Sequence, residues 1–204
     1  QCDVLQSLDF VDNERIGAMG ISMGSGHSWL SAMVEKRIRA LVGVSSFYTY
    51  KALYAPPISH CYMNHLPDVL KYGIEIYDLF KLIAPRPFMM INGTTEPQDP
   101  VEATREVYEK AKPAWQALGA GDELQLHFHE AGHGLTPETR EMAYDWLVSK
   151  LGIEKYVAGC VGGNCKENGN RPNIVFILVD QIRASSLLVY GETQIETHIA
   201  TLAF

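Results

Sequence analysis

Along most of the chain, short continuous apolar runs alternate with longer segments whose apolar residues recur at helical spacing. Residues 14–21 (ERIGAMGI) form one such run, and Trp29, Leu30, Met33 and Val34 then fall at helical spacing, which predicts a strand, a sharp turn and a helix. Residues 39–45 (RALVGVS) and 87–92 (PFMMIN) predict two further buried strands, the second closed by Gly93. Leu124, Leu126 and Phe128 alternate with Gln125, His127 and His129, the period of a fourth strand, which puts both histidines on a solvated or polar-satisfied face. Residues 100–118 read as a helix with Asp99 as N-cap and Pro100 in its first position, and Thr136-Pro137 opens another that runs to Leu151. Residues 46–70, rich in Tyr and broken by Pro, have no clean period and read as a loop or cap over a site. Strands alternating with helices predict an α/β fold, with a parallel sheet covered on both faces.

The pattern breaks near the C-terminus. Residues 157–171 (VAGCVGGNCKENGNR) lack the apolar surface needed to pack and read as a linker, after which residues 173–179 form one more buried-type strand ending at Asp180. The domain reading is therefore 1–156, a linker at 157–171, and a fragment at 172–204.

Composition narrows the function. With 47% hydrophobic and 20% charged residues, the 204-residue chain can bury a useful core but cannot hold two large enzyme domains. Seventeen scattered Lys and Arg against twenty-four Asp and Glu leave a net charge of -7, which argues against nucleic acid as a partner. The longest apolar run, Ile174 to Val179, falls far short of the ~20 residues of a membrane span. Four cysteines without a CxxC pair make no disulfide scaffold; Cys160 and Cys165 enclose a Gly-rich loop and could pair only in an oxidising compartment. The start Gln1-Cys2-Asp3 has no initiator Met and no signal-like stretch, so it reads as a chain already cut, and the compartment is not legible from it. Oligomeric state is not legible either.

Chemistry enters at Gly20-Ile21-Ser22-Met23-Gly24, a G-x-S-x-G pentapeptide placed where an apolar strand turns into a helix. Glycines two residues either side allow a sharp turn that holds the Ser22 hydroxyl clear of the sheet, and the Met23 N–H would face a developing oxyanion at the helix N-terminus. A polar residue in a Gly-rich turn is the bland alternative. A general base and an acid should then follow later strands in the order Ser, acid, His. His133, in Ala131-Gly132-His133-Gly134, is a loop histidine with no packing role and is the expected base. Glu96 and Asp99 both follow the third strand; since Asp99 already has a reason to be there as a helix cap, Glu96 is the preferred acid.

Residues 12–47, 82–100 and 130–147, which carry these motifs, resemble the C-terminal half of the α/β-hydrolase fold, in its dienelactone hydrolase and acetyl xylan esterase-like branch. The family's G-x-x-D pattern is met by Gly93-Thr94-Thr95-Glu96, with Glu in place of Asp. The resemblance covers residues 3–153 and implies a serine carboxylic-ester hydrolase acting through an acyl-enzyme without a cofactor, on a small-molecule or acylated carbohydrate ester. It is compatible with a periplasmic or secreted location. It also implies that the earlier strands and the loop supplying a second oxyanion N–H are not in this chain. Residues 171–204 (RPNIVFILVDQ and onward) resemble the start of sulfatases, which implies that Asp180 would bind Ca²⁺ in a complete sulfatase domain. The sulfatase nucleophile motif C/S-x-P-x-R is absent from the sequence, so this piece supplies no sulfatase chemistry. Three rivals stand beside the esterase: a prolyl-oligopeptidase-like peptidase with the same elbow and residue order, a non-catalytic remnant, and a sulfatase parent in which this part is accessory.

An apolar strand edge left without its partners is an aggregation hazard. Expressed alone, the chain is therefore expected to aggregate or to hydrolyse activated esters poorly; full turnover that Ser22→Ala abolishes would contradict this.

Overall fold

The computed structural model describes residues 2–9, 11–53, 68–96 and 99–152. Four strands, β1 (Ile16–Ile21), β2 (Ile38–Val44), β3 (Phe88–Gly93) and β4 (Leu124–His129), pair side by side in chain order, every pair parallel. Each crossover carries helix: α2 (Met23–Val34) between β1 and β2, α3 (Tyr50–Leu53) and α4 (Ile76–Phe80) between β2 and β3, and α5 (Val101–Ala117) between β3 and β4. A short α1 (Cys2–Gln6) precedes the sheet and α6 (Pro137–Lys150) follows it. The α/β architecture matches the alternating pattern of the sequence, and the strand bounds agree to within two residues.

Both faces of the sheet are packed, as continuous apolar strands require. On β3, Phe88 and Met90 enter one cluster with Trp29, Ala32, Phe80, Val107, Ala111 and Trp115 from α2, α4 and α5. Met89 and Ile91 enter a second, with Met19, Val42, Val44 and Ala143, Leu147 and Leu151 around α6. The period of two along the strand sends successive side chains to opposite layers. Phe80 sits edge-on to Trp29 (5.2 Å) and to Phe88 (5.1 Å), the favoured geometry for ring quadrupoles. The Trp115 indole N–H donates to the Arg86 carbonyl (2.9 Å), fixing α5 against the approach to β3.

Two sequence expectations change. The loop or cap reading of 46–70 is described only in part: residues 46–49 form no regular secondary structure but are buried and lead into α3, while residues 54–67 lie outside the described residues. Val34, counted among the apolar positions of α2, is the last residue of the helix and is 82% exposed, while Ala32 takes a buried position. Asp99 does not cap α5. Pro100 occupies the N-cap position without a side-chain cap bond, and the Asp99 carboxylate turns the other way, into the protein. Thr136 does cap α6, its hydroxyl accepting the Thr139 N–H (3.2 Å). The linker, the Cys160 and Cys165 pair, the C-terminal strand and Asp180 all lie outside the described residues.

Two glycines mark places where backbones touch. A Cβ on Gly20 would stand 2.1 Å from the Gly24 carbonyl oxygen, and one on Gly93 would stand 2.2 Å from the Ala131 carbonyl oxygen. Gly20→Ala is expected to destabilise the fold by about 3 kcal/mol, since only backbone can yield. Gly121→Ala, whose Cβ would meet the movable Gln116 side chain at 3.3 Å, should stay within about 0.5 kcal/mol of wild type in urea unfolding.

Candidate active site

Because all four strands are parallel, their carboxyl ends share one edge, and the residues that follow them share it too. Ser22 follows β1, Ser45 and Ser46 follow β2, Glu96 and Asp99 follow β3, and His133 follows β4.

Ser22 sits at φ 56° and ψ -121°, a conformation an L-residue rarely adopts, and stands immediately before α2. Its hydroxyl makes no capping bond to that helix, although Ser is a favoured capping residue. The turn is tight enough that a Cβ on Gly20 would run into the Gly24 backbone, which is why the first position of the pentapeptide needs glycine. Ser22 N–H donates to the Val44 carbonyl (2.8 Å), and the Ser46 hydroxyl donates to the Ser22 carbonyl (2.8 Å). Met23 is the first residue of α2, so its N–H belongs to the group at a helix start that lacks an intrahelical acceptor.

Glu96 and His133 meet. His133 Nδ1 lies 2.5 Å from Glu96 Oε2, with the glutamate side chain 1% exposed and the histidine side chain 37% exposed. A buried carboxylate needs a compensating partner, and here the imidazole Nδ1 supplies it while part of the side chain reaches solvent. The loops that carry them are stitched together: Thr94 N–H donates to the His129 carbonyl (2.9 Å) and Thr95 N–H to the Ala131 carbonyl (3.2 Å).

Asp99 is not paired with His133. Its Oδ2 accepts the Ser46 N–H (2.7 Å), and its own carbonyl accepts from the Asn92 side-chain amide (2.8 Å). Burial pushes its carboxyl up to about 7, helped by the nearby charge of Glu96 and opposed by the Ser46 and Phe47 N–H groups and by His133.

Sequence reasoning missed Ser46, which fell inside a stretch read as a loop or cap and links Ser22 to Asp99; two polar residues directly after a buried strand were the available signal. Of the two alternatives for His129, a solvated or a polar-satisfied face, the structure takes the second at Nε2: the residue is 7% exposed, and Nε2 meets the Gly134 carbonyl (3.0 Å), closing the loop that carries His133, with Gly134 at φ 111°. Period-two alternation assigns a face but not what folds over that face. Among the described residues no group of three or more His, Cys, Asp and Glu is placed to hold a metal ion, and no helix is long and apolar enough to cross a membrane.

The chain is 26% identical over 147 residues to the Bacillus subtilis (strain 168) protein named "Putative hydrolase YtaP", covering 71% of this chain and 49% of that protein. Among solved structures, it superposes on a carbohydrate esterase family 15 glucuronoyl esterase from Caldicellulosiruptor kristjansonii with a TM-score of 0.62 at 15% identity, covering 80% of this chain and 51% of the other. A glucuronoyl esterase from Solibacter usitatus gives 0.58 at 16% identity, covering 73% and 45%. No family model matches the chain. The fold is thus α/β, a parallel four-stranded sheet with flanking helices, like that of these α/β-hydrolase-like esterases. The chain spans about half the length of each of these three proteins.

A folded-state value near 7, above the ordinary 3.8, means the folded form holds the Asp99 proton more tightly than the unfolded chain does. The stability this carboxyl contributes is complete below its unfolded value and is lost as pH rises through about 7. Relative to Asp99→Asn, wild type should therefore lose stability between pH 5 and pH 8 in urea titrations; a constant difference would remove the assignment.

Proposed function

We propose that the chain carries the catalytic residues of a serine carboxylic-ester hydrolase, with an acylated carbohydrate as the substrate class. The observation that carries this reading is the contact between His133 Nδ1 and the buried Glu96 carboxylate, on the same sheet edge as a serine held in a strained turn before a helix. In the proposed reaction Ser22 Oγ attacks the ester carbonyl while His133 Nε2 takes its proton. Glu96 keeps the proton on Nδ1, so that Nε2 is the free base, and balances the imidazolium that forms. The oxyanion meets the Met23 N–H at the positive end of α2. Collapse expels the alcohol, protonated by His133, and leaves an acyl-Ser22 ester; water, deprotonated by the same histidine, then releases the acid and restores the serine. No cofactor enters these steps.

Similarity to a protein named "Putative hydrolase YtaP" and to glucuronoyl esterases, one of them of carbohydrate esterase family 15, supports the reaction class and the carbohydrate character of the substrate. Residues 171–204, where the sulfatase resemblance and the expected Asp180 calcium ligand fall, lie outside the described residues.

In the protein expressed from its intact native reading frame, a fluorophosphonate probe should label Ser22 and label nothing in Ser22→Ala. Glu96→Gln should lower kcat on an acetylated sugar by roughly 10³-fold or more with little change in KM, because it removes the charge that fixes the imidazole tautomer. Absence of labelling in the wild type would leave a binding or linking role instead.

A further inference from the structure

Among the described residues two carboxylates are buried, Glu96 and Asp99, and the proposed reaction uses only the first. Asp99 is 1% exposed, and it neither caps α5 nor carries an ion pair. What it does touch is the exit of the neighbouring strand. Ser45 and Ser46 both have positive φ, 62° and 67°, and two consecutive non-glycine residues hold such angles only where surrounding bonds fix them. Those bonds are present: Ser45 N–H donates to the Ile91 carbonyl (2.9 Å) and Ser46 N–H to Asp99 Oδ2 (2.7 Å). Asp99 itself is anchored from below, its carbonyl accepting from Asn92, a side chain with no exposure at all on β3.

We infer that Asp99 is a positioning residue for Ser22: by accepting the Ser46 N–H it fixes the Ser45–Ser46 turn, so that the Ser46 hydroxyl holds the Ser22 carbonyl and with it the strained nucleophile turn. This rests on the role proposed for Ser22. The chain of bonds runs across three strand exits, from β3 through β2 to β1, and gives the second buried acid a task separate from that of Glu96. An oxygen acceptor is what the clamp needs, not a full charge. The carboxyl's raised value of about 7 agrees with this, since near neutrality much of it is the uncharged acid, still able to accept from an N–H. An asparagine in its place keeps the acceptor and the shape; a leucine keeps the shape alone.

The test compares Asp99→Asn, Asp99→Leu and Ser46→Ala in the protein expressed from its intact reading frame, by residue-resolved hydrogen exchange and by the rate of fluorophosphonate labelling. The Ser46 amide should exchange slowly in wild type and Asp99→Asn, and faster in Asp99→Leu. The Ser22 amide should loosen in both Asp99→Leu and Ser46→Ala. Labelling of Ser22 should slow roughly tenfold in each of those two variants, recover most of the loss in Asp99→Asn, and be no slower in the Asp99→Leu/Ser46→Ala double, because both cut the same chain of bonds. Labelling of Asp99→Leu at the wild-type rate, Asp99→Asn as slow as Asp99→Leu, or a Ser22 amide unmoved while Ser46 loosens would each overturn the inference. If wild type is not labelled at all, the hydrolase reading fails, and exchange at the Ser22 amide alone decides the clamp.

Discussion

A serine backbone at φ 56° does not persist by its own preference, and the rest of this edge is organised around holding it there. The Ser22 N–H is spent on the Val44 carbonyl, and its carbonyl receives both the Gly26 N–H of α2 and the Ser46 hydroxyl. The absence of a side chain at Gly20 lets the end of the strand lie against the Gly24 backbone of the helix. Strain at one residue is thus balanced by ordinary bonds from the neighbouring strand exit and from the following helix. The consequence is a hydroxyl carried on a turn with little freedom to relax, as the role proposed for Ser22 would require.

The two acids after β3 show how three residues of separation produce different chemistry. Glu96 faces His133 across the gap to β4, where a partner that can become cationic suits a carboxylate. Asp99 faces the opposite way, toward β2, and meets backbone N–H groups in a buried setting that disfavours its charge. Two like charges so close would oppose each other if both were kept. Dividing them, one against an imidazole and one against amides, lets the site retain a single strong anion where the proposed reaction uses it.

The loop that carries His133 is set by contacts of the same kind. His129 closes it through the Gly134 carbonyl, and Gly93 lies against the Ala131 carbonyl so closely that no side chain would fit. The imidazole is therefore placed by backbone stitching between the ends of β3 and β4, while its outer part remains open to solvent.

Strand and helix placement was legible along the chain because apolar period is a local property: continuous runs gave β1, β2 and β3, alternation gave β4, and the Thr136-Pro137 cap opened α6 where expected. So was the edge that Ser22, Glu96 and His133 share, since a parallel sheet sends everything after its strands to one edge. What the chain could not disclose was the direction of individual polar side chains. Asp99 beside Pro100 has the local signature of a helix cap, and only the packing of β2 against β3 offers its carboxylate a buried N–H instead. His129 follows strand alternation, yet the loop folding back from Gly134 buries it. Periodicity along one segment determines which residues are inside; which donor meets which acceptor depends on segments far apart in sequence, and only the assembled tertiary structure brings those together.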